Sequence, residues 1–161
     1  AVFPLANMRD LRQRVAVSFC ANEGMWTEAD AYRVIQSRCA DVLCFSSYWV
    51  GSLRRFHTLS QVAHLEGLSV CKHTHGELGI AAAAAHHILL AIPNASDGAQ
   101  QTAAMMADDI LQERLPISSQ ARWGIIDQPG LGVEVDEEKL GTYAELYRQQ
   151  GQFLPYQSPS R

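Results

Sequence analysis

No apolar run in the 161 residues approaches the roughly 20 needed to span a bilayer, so no membrane-crossing helix is expected. No stretch has the charged, apolar and small-residue order of a secretory signal, and a cytoplasmic protein is expected. Positive charge is scarce. Thirteen Lys plus Arg against 17 Asp plus Glu leave a net charge of −4, which argues against nucleic acid or an anionic membrane as partner. Cysteine is sparse too. Cys20, Cys39, Cys44 and Cys71 lie in apolar stretches without paired short spacings, and read as small reduced core residues rather than a disulfide frame or zinc site. No GxGxxG or GxxxxGK[ST] sequence follows a strand-like segment, so a nucleotide fold has no motif to support it. Charged residues are only 19%, against 47% hydrophobic, which excludes disorder and suits one domain with a real core.

What is present is a repeat. Ala1–Arg9 is a short Pro-containing segment. Val15-Ala16-Val17-Ser18-Phe19-Cys20 alternates large apolar with small residues and predicts a buried strand. Thr27 with Asp30 resembles a capping box, opening a helix whose inner face carries Ala31, Val34 and Ile35. Val42-Leu43-Cys44-Phe45 is apolar throughout, as in a strand covered on both faces. Ser52 caps a helix with Leu53, Phe56, Leu59 and Ala63 at helical spacing, and Gly67 stops it. Leu68–Cys71 predicts a third strand, Glu77 to Ile92 an Ala-rich helix, and Pro93-Asn94-Ala95-Ser96 a short fourth strand. Strand starts recur every 26 or 27 residues, which predicts a parallel α/β sheet: a small doubly wound domain or half of a (β/α) barrel. A mixed, turn-rich segment follows Pro116, and a last helix is expected from Asp136 or Glu137 to Gln150.

In parallel α/β folds, functional groups gather where strands end. Those positions here carry Asn22-Glu23, Ser46-Ser47, Lys72-His73-Thr74-His75 and Ser96-Asp97, four sets of polar groups expected at one mouth. Glu23 could ligate a hard cation or act as a base; a solvated loop acid is the alternative. His73 suits a general base, and His73 with His75 could form a zinc pair; the alternative is one buried, bonded histidine and one solvated. Glu77 is expected to be structural, in the first turn of a helix, and Trp26 and Tyr32 to pack. His57, His64, His86 and His87 fall within helices, away from the strand ends.

Asn22-Glu23-Gly24 and Tyr48-Trp49-Val50-Gly51-Ser52 resemble the fifth and sixth barrel units of the enolase superfamily. Lys72-His73-Thr74-His75-Gly76-Glu77-Leu78-Gly79-Ile80 is similar to the seventh-strand segment of its mandelate racemase and acid-sugar dehydratase branch. Pro129-Gly130-Leu131-Gly132-Val133-Glu134 resembles that branch's C-terminal signature. The resemblance runs from roughly Arg12 to Tyr147. It implies the C-terminal half of a (β/α) barrel: units like strands five to eight over 1–115, then the family's C-terminal segment and helix over 116–161.

The resemblance further implies a Mg²⁺-dependent enzyme that removes the proton α to a carboxylate of a small substrate. By that likeness Glu23 matches the third carboxylate ligand of the metal, His73 the seventh-strand base, and Asp97 lies near the eighth-strand acid. Asn22, Ser46, Ser47 and His75 are the expected substrate-binding groups. The branch pairs its histidine with a sixth-strand Asp; here that region reads Phe45-Ser46-Ser47, leaving Ser46 or Ser47 to orient His73. The capping domain, first four strands, other metal carboxylates and second-strand Lys have no counterpart in these residues. A dehydratase of a sugar acid or other hydroxy acid is expected, inactive as this chain alone. The alternatives are a racemase or cycloisomerase of the same superfamily, a non-catalytic self-associating half barrel, and a small zinc hydrolase. A homo-oligomer, or association with the missing half, is the expected assembly.

Overall fold

A computed structural model describes residues 4–74, 76–95, 98–116, 120 and 122–151. The order is α1 (Leu5–Arg14), β1 (Cys20–Ala21), α2 (Glu28–Ser37), β2 (Val42–Phe45), α3 (Ser47–Val50), α4 (Leu53–Leu65), β3 (Ser69–Lys72) and α5 (Gly79–Leu90). A 3₁₀ turn (Ala103–Met105) and α6 (Glu137–Gln150) complete it. The three strands form one parallel sheet in the order β1-β2-β3. No helix among the described residues is long and apolar enough to cross a membrane.

Side-chain alternation splits the sheet into two faces. Ala21, Leu43, Phe45 and Val70 join the main core with Ala31, Val34 and Ile35 of α2 and Phe56, Leu59 and Ala63 of α4. Phe45 and Phe56 meet at 4.6 Å between ring centroids, each wholly buried, which is worth about 1.5–3 kcal/mol per ring in burial alone. Val42, Cys44 and Cys71 form a small separate cluster. The register that pairs Cys44 with Cys71 also pairs Cys20 with Val42, so all four share a face. Cys39 belongs to the main core, but Cys20 is exposed, against the expectation that every cysteine is a core residue.

The caps follow the sequence. Thr27 Oγ1 accepts from Asp30 N at 3.1 Å, and Ser52 Oγ accepts from Arg55 N at 3.2 Å. Gly67, at φ 73°, turns the chain after α4 in a conformation that favours glycine. The Pro-containing segment expected over Ala1–Arg9 runs into α1 (Leu5–Arg14), which starts after Pro4; proline suits a helix start because it needs no N–H partner there. Arg12 ties α1 to the sheet: its Nε donates to Asp41 at 2.9 Å, while Asp41 accepts from Phe19 N at 2.8 Å.

Three strand expectations need correction. The first strand is Cys20–Ala21 alone; the 15–19 segment lies outside it, and Val17 is 67% exposed. Only β2 pairs with β1 among the described residues, so nothing holds the segment in a longer ladder. The third strand is shifted one residue, to Ser69–Lys72. The expected fourth strand is not formed over Pro93–Ala95, and Ser96 lies outside the described residues. Pro93 brings no N–H, and Asn94 spends its side chain on Ser60 O and Leu68 O. Two backbone bonds still run this segment beside β3: Val70 N to Asn94 O at 2.9 Å and Gln100 N to Lys72 O at 3.0 Å.

The Ala-rich helix begins at Gly79 rather than Glu77, because Glu77 turns its carboxylate inward to Lys72. Leu78 at the N-cap offers no side-chain bond, and Asp109 supplies the acceptor instead, taking Gly79 N at 2.9 Å. A Cβ on Gly79 would lie 2.1 Å from Leu111 Cδ1, so glycine allows this approach. The final helix starts where Asp136 Oδ1 accepts from Glu138 N and Lys139 N, and Asp108 holds it through Lys139 and Tyr143.

Candidate functional site

The parallel strands end on one side, and each end passes directly into polar residues. Asn22 and Glu23 follow β1, Ser46 and Ser47 follow β2, and His73 and Thr74 follow β3. His75 and Asp97, both expected in the site, lie outside the described residues. His73 is buried, 8% exposed, and its backbone N donates to Phe45 O at 3.1 Å, which continues the sheet bonding past β3. Its ring stacks on Trp49 with centroids 5.1 Å apart and planes 25° apart. Trp49 in turn meets Trp26 at 4.2 Å, so an aromatic layer crosses the three strand ends.

Ser46 is wholly buried and accepts from Trp49 N at 3.4 Å, capping the short helix α3. Its visible task is to set the turn that carries Trp49, and Ser47 opens that helix half-buried. Asn22 is half-buried, and its Oδ1 has no hydrogen-bond partner among the described residues. A buried acceptor without a donor costs about 1–3 kcal/mol, which makes it a position where a ligand hydroxyl would gain. Glu23 sits in the turn beyond β1 with its residue exposed.

Beneath this layer lies a charge pair. Lys72 Nζ bonds Glu77 Oε1, both side chains almost wholly enclosed, and Glu77 also accepts from Thr74 Oγ1. Burial pulls the Lys72 ammonium below its usual value, and Glu77 opposes that shift. Burial, followed by the Glu77 carboxylate, pushes the Tyr48 hydroxyl upward. Tyr48 lies under the ammonium, with Nζ 5.7 Å from its ring centre. The pair fixes the chain on both sides of His73. Sequence reasoning took Glu77 as structural but missed that its partner is Lys72 and that Trp49 lies on His73. The signal for Trp49 is its place three residues beyond Ser46, which caps the short helix after β2.

Magnesium prefers several oxygen ligands in a near-octahedral shell. Glu23 has the right donor and the right exposure, yet it is a single carboxylate. Among the described residues, no group of three His, Cys, Asp or Glu donors includes it. These residues do not by themselves build a Mg²⁺ site.

Residues 3–139 match the family model described as enolase C-terminal domain-like. The chain belongs to that family. Its sheet of parallel strands backed by helices is the family's C-terminal α/β fold, the arrangement of the second half of a (β/α) barrel. The protein of Streptomyces coelicolor named probable glucarate dehydratase is 26% identical over 133 residues, covering 83% of this chain and 31% of its own. Muconate cycloisomerase 1 of Rhodococcus opacus is 26% identical over 137 residues, covering 84% of this chain and 36% of its own. The crystal structure of an isomerase from Streptomyces coelicolor A3(2) superposes with TM-score 0.82 at 29% identity, over 93% of this chain and 40% of that one. The enolase-family chain thus spans about a third of the curated relatives it matches.

Proposed function

We propose that these residues form the catalytic C-terminal part of an enolase-superfamily enzyme that removes the proton α to a carboxylate, with His73 as base. The observation that carries the reading is the stacking of His73 on Trp49, with Asn22 following β1 at the same end of the parallel sheet. The family membership and the dehydratase and cycloisomerase relatives agree with it.

In this mechanism His73 takes the α-proton onto a ring nitrogen, and the electron pair left on carbon delocalises into the carboxylate. Trp49 offers its π face to the imidazolium that results, an interaction worth about 0.5–2 kcal/mol depending on desolvation. Asn22 accepts from a substrate hydroxyl. Departure of a β-hydroxyl completes a dehydration, and Asp97 is the proposed acid that protonates the leaving oxygen. Ser47 and His75 complete the substrate-binding set, and Ser46 acts by setting Trp49. Glu23 would give one oxygen to a Mg²⁺ ion completed by ligands outside the described residues, and that ion would supply charge stabilisation for the enediolate. A sugar acid or another small hydroxy acid is the substrate class. Four free thiols suit a reducing, cytoplasmic setting.

The test replaces the matching segment of the Streptomyces coelicolor relative with this chain. The folded chimera should exchange the α-hydrogen of a hydroxy acid in D₂O, and His73→Asn should stop that exchange. Unchanged exchange in a folded His73→Asn chimera would place the base elsewhere. A dehydrated product separates dehydratase from racemase or cycloisomerase. A second reading, a non-catalytic half barrel pairing with a second copy, is favoured by one observation: β1 pairs only with β2 among the described residues. Sedimentation of the chain alone distinguishes a dimer from a monomer.

A further inference from the structure

Cys20, Cys44 and Cys71 are far apart in sequence, yet one comes from each of the three neighbouring strands. Cys44 and Cys71 are register partners, and Cys20 falls opposite Val42, two residues before Cys44 on the same face. The three Sγ atoms all lie within 4.8 Å of one another. A metal held at the usual Zn–S length of about 2.3 Å needs sulfurs about 3.8–4.0 Å apart in tetrahedral or trigonal geometry. Only small side-chain adjustments separate this trio from that spacing. We propose that Cys20, Cys44 and Cys71 form a trithiolate site for a soft d¹⁰ cation, Zn²⁺ or Cu⁺, independent of the proton-abstraction site.

Two features support a site over simple packing. The sulfurs are supplied by a sheet, whose spacing is fixed by backbone bonds, so little entropy is lost in gathering them. Cys44 and Cys71 are buried while Cys20 is exposed, which gives an entry path and leaves room for a fourth, solvent ligand. Binding converts the S–H groups to thiolates and releases their protons to solvent. Soft thiolates discriminate against Mg²⁺, which favours oxygen. Cys39, in the core on the other face, is not part of the group.

The test titrates the reduced 161-residue chain with Cd²⁺ in excess Mg²⁺ and reads the thiolate-to-metal absorption. One equivalent should bind, and a large excess of Zn²⁺ should compete for the site while Mg²⁺ does not. Cys20→Ser, Cys44→Ser and Cys71→Ser should each weaken binding by at least about tenfold, as loss of even an outer-shell partner can do. Cys39→Ala should leave it unchanged. No absorption, or binding that survives both Cys44→Ser and Cys71→Ser, overturns the site. Should a serine variant fail to fold, the wild-type chain decides: Zn²⁺ raises its Tm and Mg²⁺ does not, whereas equal Tm values overturn the proposal.

Discussion

Trp49 lies against the ring of His73, 5.1 Å between centroids and 25° from parallel, at the end of the sheet where the polar residues gather. In the branch that the sequence resembles, a carboxylate orients the histidine base. In this chain an aromatic surface occupies the neighbourhood, and the buried Ser46 is committed to capping the helix that presents it. An indole cannot accept an N–H bond as an acid does, but it limits ring rotation and shields the imidazole from water.

Trp49→Ala should therefore expose His73. Aromatic stacking is worth about 0.5–1.5 kcal/mol beyond burial, so acylation of His73 by diethylpyrocarbonate should accelerate roughly two- to tenfold. Peptide mapping reads each histidine, and the exposed His64 serves as internal control. Equal rates at His73 in both proteins would mean that Trp49 does not cover it in solution.

The Lys72–Glu77 pair is enclosed, with side chains 1% and 2% exposed. Removing one charge strands the other in a dry site. Glu77→Gln should cost about 3–5 kcal/mol in urea unfolding at pH 7. The double change Lys72→Met with Glu77→Leu removes both charges and should recover most of that loss. A single-variant cost under about 1 kcal/mol would place the pair in contact with water.

Asp41 provides an acid-sensitive tie. Its hydrogen bond from Arg12 holds the carboxyl below the ordinary 3.8, aided by Phe19 N. The unfolded chain therefore binds the proton more readily, so this contribution is complete above about pH 4 and is lost as pH falls further. The side chain is 31% exposed, which limits the effect to under about 1 kcal/mol. Urea midpoints at pH 7, 4 and 3 should show a shallower acid decline in Asp41→Asn than in the wild-type chain. Identical slopes would sink the argument.

Local signals were legible where local physics decides. Thr27 and Ser52 cap as their sequences suggest, and β2 occupies Val42–Phe45 as its apolar run implies. Tertiary decisions were not. Val15 and Val17 have strand-like alternation but no partner strand among the described residues, so the ladder between β1 and β2 forms at Cys20–Ala21. Lys72 reads as one of the strand-end polar groups and Glu77 as a structural first-turn acid, but that they pair depends on how the chain turns after β3. The cysteines lack any metal spacing in sequence, since their approach is created by register between strands.

The exposure of Glu23 fits both a loop acid and one ligand of a shared ion. Donor number decides what the isolated chain can do. One carboxylate and solvent leave Mg²⁺ little advantage over its own hydration shell, from which it parts reluctantly. Calorimetric titration of the 161 residues should therefore show Mg²⁺ binding no tighter than about 1 mM. Glu23→Gln should remove any weak binding that is seen while changing stability by less than about 0.5 kcal/mol, as expected of an exposed turn residue. In the chimera with the Streptomyces coelicolor relative, the same substitution should weaken Mg²⁺ binding sharply and abolish α-hydrogen exchange. Micromolar Mg²⁺ binding by the isolated chain would require a complete site that the described residues do not contain, and unchanged metal affinity in the Glu23→Gln chimera would reduce Glu23 to a solvated loop acid.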